Sequence, residues 1–331
     1  MQEFTIRKND AGQRLDRFLK KYLSKAPLSR VYTLIRKDCR INGKRCAENY
    51  MLQEGDVLSL FLTDAEITDY TAPQGKRNAK RQFSVIYEDE NILIVSKPFG
   101  LLVHGDGKEK KDTLANQVIA YLIESGAYSP RAERSFTPSP VHRLDRNTTG
   151  LVVFGKSAEA LRQLSAMFRS RTAVSKYYLT IVSGELKNEL RLKDSLEKDE
   201  KTNTVSVLSA EEGSGKLIET IARPIAGNEA YTLIEAELVT GRSHQIRAHL
   251  KSAGHPLIGD AKYGDRRVNR FAEQNFGLST QLLHAYRLRF NEAPPGLEYL
   301  KGKSFTSPPP PAFSAVELGL FGKEIPHEIE R

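Results

Sequence analysis

The chain has 331 residues, of which 39% are hydrophobic, enough for two folded domains and too many for a disordered chain. It contains no apolar run of about 18 residues that could span a membrane, and its N-terminus lacks the apolar stretch of a secretory signal. We therefore expect a cytoplasmic protein. The net charge is +9, and residues 1–83 carry most of it, with 17 Lys and Arg against 10 Asp and Glu. Such a basic region is typical of a module that binds phosphates.

The N-terminal region shows two short helices and a hairpin. Residues 14–24 place apolar side chains on one side and basic ones on the other, which predicts an amphipathic helix. Ser29, two residues beyond a proline, is the predicted N-cap of a second helix. The Asn42 and Gly43 pair predicts a tight hairpin, and residues 56–62 predict a strand.

Residues 12–62 resemble an S4-type RNA-binding domain, whose hallmark is a helix pair followed by a basic hairpin, here Arg40 to Lys44. The resemblance implies that basic side chains of the second helix and the hairpin contact RNA. These are Arg30, Arg36, Lys37, Arg40, Lys44 and Arg45. We expect this domain to occupy residues 1–70, and the polar, basic residues 71–83 to form a flexible linker.

The remaining residues, 84–331, mix strand and helix patterns and predict an α+β domain whose strands pair largely antiparallel. Residues 185–229 are too polar and irregular to assign. The predicted strands are 84–87, 92–96, 151–154, 176–182 and 231–239, and the predicted helices are 158–171 and 243–252.

One motif in this domain, HRLDRNTTG at residues 142–150, carries a carboxylate between two arginines and leads into the buried strand 151–154. A carboxylate beside a buried strand and flanked by Arg143 and Arg146 should accept hydrogen bonds from cations. This suits a nucleophile, Asp145, whose substrate carries phosphates. The nine residues alone are equally consistent with a structural turn that bears an ordinary surface ion pair.

Four segments in a fixed order decide between these interpretations: NILIVSKPFGLLVH (91–104), HRLDRNTTG (142–150), KYYLTIVSG (176–184) and GRSHQIRAHL (241–250). Together they resemble the RluA-type family of large-ribosomal-subunit RNA pseudouridine synthases, which often carries an N-terminal S4 domain. The resemblance covers residues 12 to about 290. It implies a pseudouridine synthase catalytic domain with a mixed, largely antiparallel central sheet.

The resemblance also implies the reaction and its substrate. The enzyme would isomerise specific uridines to pseudouridine, with 23S RNA of the large ribosomal subunit as the expected substrate. The reaction involves no redox change and no donated group, so we expect no cofactor and no metal. Cys39 and Cys46 are too few for a structural zinc site, and we expect both to be reduced. We expect no membrane association, no obligate protein partner and a monomer.

Asp145 is the implied catalytic carboxylate, which could attack C1′ of the sugar, add to the base or act through a glycal. Tyr178, in the K-x-Y pattern, is the implied aromatic partner of the flipped base, whereas Tyr177 points to the other face and should pack in the core. Arg247 would form a bidentate salt bridge that holds Asp145. Arg143 would fill the gap left by the flipped base.

Four further residues receive less direct roles. Lys97, Arg242 and Lys262 are expected to contact phosphates, and Asp260 is expected to be a turn residue in a Gly-rich segment. Three alternatives remain open: a tRNA-directed member of the family, a non-catalytic RNA-binding ribosome-assembly factor, and a metal-dependent nuclease. The spacing of His244 and His249, five residues apart, is wrong for two metal ligands on one helix face.

Overall fold

The structure is a computed structural model that describes residues 1–71, 79–106, 109, 111–130, 132–199, 202, 204–209, 215–323 and 325–327. The chain forms two compact units. The first contains Met1–Arg81, Ala115–Ser139 and Gly155–Arg162, and the second contains Gln82–Leu114, Pro140–Phe154 and Gln163–Arg331. The predicted α+β class is confirmed.

The elements follow one another as β1 (Gln2–Thr5), α1 (Leu15–Tyr22), α2 (Leu28–Lys37), β2 (Cys39–Ile41), β3 (Val57–Leu60), α3 (Asp64–Tyr70), β4 (Ser84–Glu88), β5 (Ile92–Lys97), α4 (Leu114–Glu124), β6 (Ser139–Pro140), β7 (Thr149–Gly155), α5 (Ala158–Arg169), β8 (Val174–Ser183), β9 (Leu190–Asp199), β10 (Thr204–Leu208), β11 (Lys216–Gly227), β12 (Tyr231–Leu238), α6 (Gln245–Ser252), α7 (Arg266–Phe276), β13 (Leu283–Phe290), β14 (Ser304–Thr306) and α8 (Pro311–Phe321).

The N-terminal region contains the two predicted helices, α1 and α2, and a small antiparallel sheet with the order β1-β3-β2. Strand β1 and helix α3 were not predicted. Phe18 and Leu34, on the apolar faces of the two helices, are buried in a common core. Asn42 and Gly43 have φ values of 51° and 74°, as a type I′ hairpin turn requires. The turn closes with the Lys44 N–H donating to the Ile41 carbonyl at 2.9 Å.

The predicted N-cap of the second helix is wrong. Helix α2 begins at Leu28, and Pro27 occupies the N-cap position without a side-chain hydrogen bond. A proline is tolerated there because the first turn of a helix needs no backbone N–H from it. Ser29 therefore lies inside the first turn.

The second unit is built around an 11-stranded mixed sheet with the order β10-β9-β11-β12-β8-β13-β7-β5-β4, and β6 and β14 pair with β7 and β13. Strand β7 pairs with β13 in parallel, whereas β8 pairs antiparallel with both β12 and β13. The predicted mixed, largely antiparallel sheet is confirmed. The unassigned residues 185–229 form β9, β10 and β11. Their polar alternation fits strands with one solvated face.

The predicted boundaries at 1–70, 71–83 and 84–331 stay predictions. Residues 72–78 of the expected linker lie outside the described residues. The first compact unit also includes residues beyond 83, and within it the Asp10 carboxylate accepts hydrogen bonds from the N–H and hydroxyl of Ser135 at 2.9 and 2.6 Å. No helix in the described part of the chain is both long and apolar enough to cross a lipid bilayer.

The last residue of the HRLDRNTTG motif fixes where the loop meets the sheet. Gly150 pairs with Ala285 in the parallel register of β7 and β13. It has φ = 107°, and a Cβ atom there would overlap the backbone oxygen of Ala285. Only glycine allows this approach, because both the conformation and the space exclude a side chain.

We therefore expect Gly150→Ala to lower the free energy of unfolding by about 3 kcal/mol, from strain and overpacking together. Chemical denaturation measures this directly. Gly241→Ala is the matched control, since a Cβ at Gly241 meets no atom within 4 Å. Equal stability of the two variants would contradict the assigned role of Gly150.

Candidate active site

A cavity of about 480 Å³ opens in the second unit where four segments meet: the loop before β7, helix α5, strand β8 and the turn before α6. Asp145, Tyr178, Arg247 and Arg143 all line it. The structure thus brings together all four residues that the sequence placed at the catalytic centre, although they are spread over about a hundred positions of the chain.

The loop that carries Asp145 is fastened by a buried lysine. The ammonium of Lys97 donates to the carbonyls of Pro98, Leu101 and Arg146 at 2.9, 2.8 and 2.8 Å, so all three of its protons are used. Burial lowers the pKa of Lys97 to about 7, against the opposing charge of Asp145. The expected phosphate contact is therefore wrong for Lys97, because only 1% of its surface is exposed.

The start of the same loop is fixed by His142. Its Nε2 accepts a hydrogen bond from the Val153 N–H at 3.2 Å, and its ring stacks on Phe168 with centroids 4.6 Å apart. Burial lowers the pKa of His142 to about 3, which keeps the imidazole neutral as the acceptor role requires. The loop is therefore held by hydrogen bonds to the sheet on one side and to Lys97 on the other.

Arg247, the third residue of α6, lies between two carboxylates. Its Nε and Nη2 donate to Asp260 at 2.7 and 2.8 Å, and its Nη1 donates to Asp145 at 3.1 Å. The Tyr263 ring lies beside the guanidinium, 5.1 Å from its central carbon. The predicted contact of Arg247 with Asp145 is present, but the bidentate partner is Asp260. A guanidinium can serve both because its donors lie along two edges.

Asp260 is wholly buried and satisfied on both oxygens. Besides Arg247, it accepts from the N–H groups of Lys262 and Tyr263 at 3.0 and 3.1 Å. Burial alone would raise the pKa of Asp260, but the ion pair and the two N–H groups lower it below its ordinary value. Burial likewise opposes the charge of Arg247, and Asp260 together with Asp145 outweighs it, so the pKa of Arg247 is raised. Asp260 is therefore the buried counter-ion of Arg247 as well as the turn residue that the sequence predicts.

Tyr178 lies in the central strand β8, and the two faces of this strand behave as the alternation predicts. Tyr178 lines the cavity, whereas Tyr177 belongs to the hydrophobic core on the other side. Burial, and then the charge of Asp145, raise the pKa of Tyr178, so the phenol is protonated at neutral pH. Its hydroxyl forms no hydrogen bond with any described residue, which leaves it available to a ligand.

His244, which the sequence analysis weighed only as a metal ligand, faces the Asp145 carboxylate. Its backbone is left-handed, with φ = 56°. The Tyr263 hydroxyl accepts from the Val205 N–H at 2.8 Å and lies 2.9 Å from His244 Nδ1. It can therefore donate its own proton to Nδ1, which places the imidazole proton on Nε2, 3.8 Å from Asp145 Oδ2. Burial lowers the pKa of His244, which favours the neutral ring.

The comparison with known proteins agrees with this geometry. Residues 91–252 match the family described as RNA pseudouridylate synthase. A ribosomal large subunit pseudouridine synthase C from Vibrio vulnificus (strain CMCP6) is 39% identical over 285 residues, covering 85% of each chain. The chain belongs to the RluA-type family of RNA pseudouridine synthases. It is an isomerase.

Two further comparisons support the family and the fold. The ribosomal large subunit pseudouridine synthase C of Escherichia coli (strain K12) is 33% identical over 296 residues, covering 86% of this chain and 87% of that protein. The solved structure of human RNA pseudouridylate synthase domain containing 4 superposes with a TM-score of 0.56 at 22% identity, covering 74% of this chain and 95% of that one. That likeness concerns the fold.

The turn before α6 in this synthase is ordered by a residue that the sequence analysis did not single out. The side chain of Gln245 accepts from the Thr240 hydroxyl and the Arg242 N–H, and donates to the Glu219 carbonyl and the Thr220 hydroxyl, all at 2.8 to 3.1 Å. A buried amide whose oxygen and nitrogen are both fully hydrogen-bonded holds the turn against β11. The only sequence signal for this role of Gln245 was its position within the segment GRSHQIR.

Exposed arginines surround the mouth of the cavity, with Arg143, Arg169 and Arg242 lining it. The predicted RNA contacts of Arg143 and Arg242 stay predictions, and exposed guanidinium groups are suited to them. Lys262 lines a second cavity, and its predicted phosphate contact also stays a prediction.

In the N-terminal region, the predicted RNA-binding residues differ in their exposure and in whether they already have a partner within the protein. Arg36, Lys37, Lys44 and Arg45 are exposed. Arg40 is half-buried, and its guanidinium lies 5.6 Å from the Phe61 ring. Arg30 donates to Glu66 at 2.8 Å, and this bond raises the pKa of Arg30. All six assignments stay predictions, and Arg30 also has a structural partner.

The ion pair of Arg247 and Asp260 gives a testable prediction. Replacing Asp260 by Asn leaves a buried guanidinium without its bidentate partner, so the free energy of unfolding at pH 7 should fall by about 3 kcal/mol. The pKa of Asp260 is lowered in the folded state, so its contribution is fully present above about pH 4 and lost as the pH falls through the lowered value. Denaturation from pH 7 to pH 3 should show the difference between the two proteins shrinking.

Asp265→Asn is the control, because Asp265 is an exposed N-cap of α7 and asparagine caps a helix as well as aspartate does. A loss of stability in Asp260→Asn that does not change with pH would argue against an ionised Asp260.

Proposed function

We propose that this synthase converts specific uridines of 23S ribosomal RNA to pseudouridine. The observation that carries the proposal is the Asp145 carboxylate, bound by Arg247 at 3.1 Å at the wall of a cavity that also contains the Tyr178 ring. The choice of RNA rests on the relatives, which are named for the large ribosomal subunit. A cytoplasmic location and a monomeric state belong to the same proposal.

The reaction needs a base that has left its helix, because C1′ and both faces of the uracil are inaccessible in a stack. A cavity of about 480 Å³ can hold one nucleoside. Tyr178 would provide the stacking surface for the uracil ring, and Arg143, exposed at the mouth, would occupy the place that the base has left.

Asp145 has the position of the group that acts on the sugar or the base. Its side chain is 29% exposed, so a substrate can reach it, and Arg247 fixes one of its oxygens. Breaking the bond between C1′ and N1, turning the base and joining C5 to C1′ gives an isomer, because C5 loses a proton to solvent and N1 takes one up. Nucleophilic attack on C1′, addition to the base and a glycal route all use the same carboxylate.

The basic N-terminal region would supply affinity that depends on salt and only weakly on sequence. Neutralising about four to six phosphates of a single strand gives a slope of roughly −3 to −4 in a plot of log K against log salt. The catalytic unit would then recognise the local shape of the RNA around the target uridine.

Release of tritium from RNA labelled at C5 of uridine tests the reaction directly. Wild-type protein should release tritium from 23S RNA in EDTA, and Asp145→Asn should release none while binding the RNA with similar affinity, because only the carboxylate charge is removed. Asp265→Asn serves as the control and should release tritium at the wild-type rate.

The same assay separates the alternatives. Release from tRNA but not from 23S RNA would favour a tRNA-directed enzyme. Binding without release from either RNA would favour a ribosome-assembly factor. Shortened RNA that appears only with divalent metal would favour a nuclease.

The hairpin makes a separate prediction about binding. Replacing Lys44 and Arg45 by Gln should raise the Kd for the RNA and make the salt slope about 1.4 units shallower, because each phosphate that is no longer neutralised changes the slope by about 0.7 units. Fluorescence anisotropy over a salt series measures both. Lys187→Gln combined with Lys301→Gln removes the same charge from the second unit, and an equal effect there would refute a specific role of the hairpin.

A further inference from the structure

Among the described residues of the second unit, two lysines are almost fully buried, with 1% of Lys97 and 7% of Lys176 exposed. They differ in what surrounds the ammonium group. Lys97 donates to three backbone carbonyls. The Nζ of Lys176 donates to no acceptor among the described residues. The ammonium of Lys176 is not among the buried side-chain atoms that lack a hydrogen-bond partner, so it is open to the cavity and not sealed in the core.

Lys176 lies in β8, two residues before Tyr178, and so on the same face of the strand. Both side chains line the cavity that holds Asp145. His142 and Phe168, whose rings stack on each other, line the same cavity. The ammonium is therefore directed into the space where the proposed substrate base would lie.

Among the described residues, no carboxylate accepts a hydrogen bond from the Lys176 ammonium. Glu237 is the acidic residue whose charge acts on Lys176, but its carboxylate accepts from Arg223 at 2.8 Å. Burial lowers the pKa of Lys176, and the charge of Glu237 opposes this only in part. An acceptor that enters the cavity would therefore gain a strong, charge-assisted hydrogen bond.

We propose that Lys176 donates a hydrogen bond to a carbonyl oxygen of the flipped uracil and stabilises the negative charge that this ring carries once its bond to the sugar breaks. The inference rests on the proposed function and adds a catalytic residue to it.

The chemistry of the leaving group supports this choice. When the bond between C1′ and N1 breaks, its electron pair stays on the uracil, where it spreads over N1 and the carbonyl oxygens at C2 and C4. The electron-deficient C1′ is met by the Asp145 carboxylate or relieved through a glycal. The ammonium keeps its protons throughout, and no further reactant is needed. A cation fixed beside the place where this charge develops is well suited to stabilise the anion.

A backbone phosphate is the less suitable ligand. Phosphates of the flanking nucleotides remain outside when a base is flipped, where Arg143, Arg169 and Arg242 are exposed at the mouth. Only 7% of the surface of Lys176 is exposed, and it lies beside Tyr178 on β8, where the base and not the backbone would be placed.

The test compares wild type, Lys176→Met and Lys176→Arg in single-turnover tritium release from 23S RNA, with enzyme in saturating excess. Methionine keeps the approximate shape and removes the charge. We expect the rate to fall about 100-fold in Lys176→Met, the loss typical of one donor to a developing anion. The Kd for RNA should change little, and Lys176→Arg should recover part of the rate. Lys187→Met, which removes a lysine whose side chain is 73% exposed, should react as wild type does.

Thermal denaturation separates catalysis from structure, because removing a buried charge without a partner should leave the fold at least as stable as before. A rate within about threefold of wild type would overturn the proposal. So would an unchanged rate with a higher Kd and a salt slope shallower by about 0.7, which would indicate a phosphate contact. A lower melting temperature with no recovery in Lys176→Arg would indicate a structural role. Absence of release by wild type would overturn the proposed function, and this inference with it.

Discussion

A single buried guanidinium connects the fold of this protein to its chemistry. Arg247 uses one edge for Asp260, which two backbone N–H groups hold, and the other edge for Asp145, whose side chain is 29% exposed in the cavity. If Asp145 were the only counter-ion of Arg247, the proposed reaction would disturb the only charge that compensates the buried guanidinium. The wholly buried Asp260 compensates the charge of Arg247 independently, so Arg247 can stay in place while the environment of Asp145 changes.

The loops on either side of this ion pair are held by two side chains, Lys97 and Gln245, whose own donors are all used. Lys97 binds three carbonyls, including that of Arg146, which follows Asp145 in the chain, and Gln245 binds four groups around the turn before α6. Catalytic groups on loops gain precision only when the loops themselves are fixed. Gly150 adds a steric constraint, because the close approach of β7 to β13 leaves no room for a side chain.

Local patterns predicted much of this arrangement, and long-range pairing explains what they missed. The face of Tyr178 followed from strand alternation, and the hairpin at Asn42 followed from its turn chemistry. The partnership of Asp260 with Arg247 was not visible, since a turn aspartate and a buried counter-ion look the same in one sequence. Lys97 was assigned to phosphate because a lysine in a conspicuous motif suggests a ligand, whereas its three acceptors are backbone carbonyls with no sequence signal.

Polar side chains that already have hydrogen-bond partners in the protein can position the site. Those without such partners can bind the proposed substrate. Arg247 and Lys97 have protein partners for their charge and can do little more than hold their neighbours. The Tyr178 hydroxyl and the Lys176 ammonium, on one face of β8, have no partner among the described residues although both residues are buried. Neither atom is among the buried side-chain atoms that lack a hydrogen-bond partner, so both are open to the cavity, where a ligand can bind them. On this argument the proposed substrate base would lie along β8, between the Asp145 carboxylate and the Lys176 ammonium.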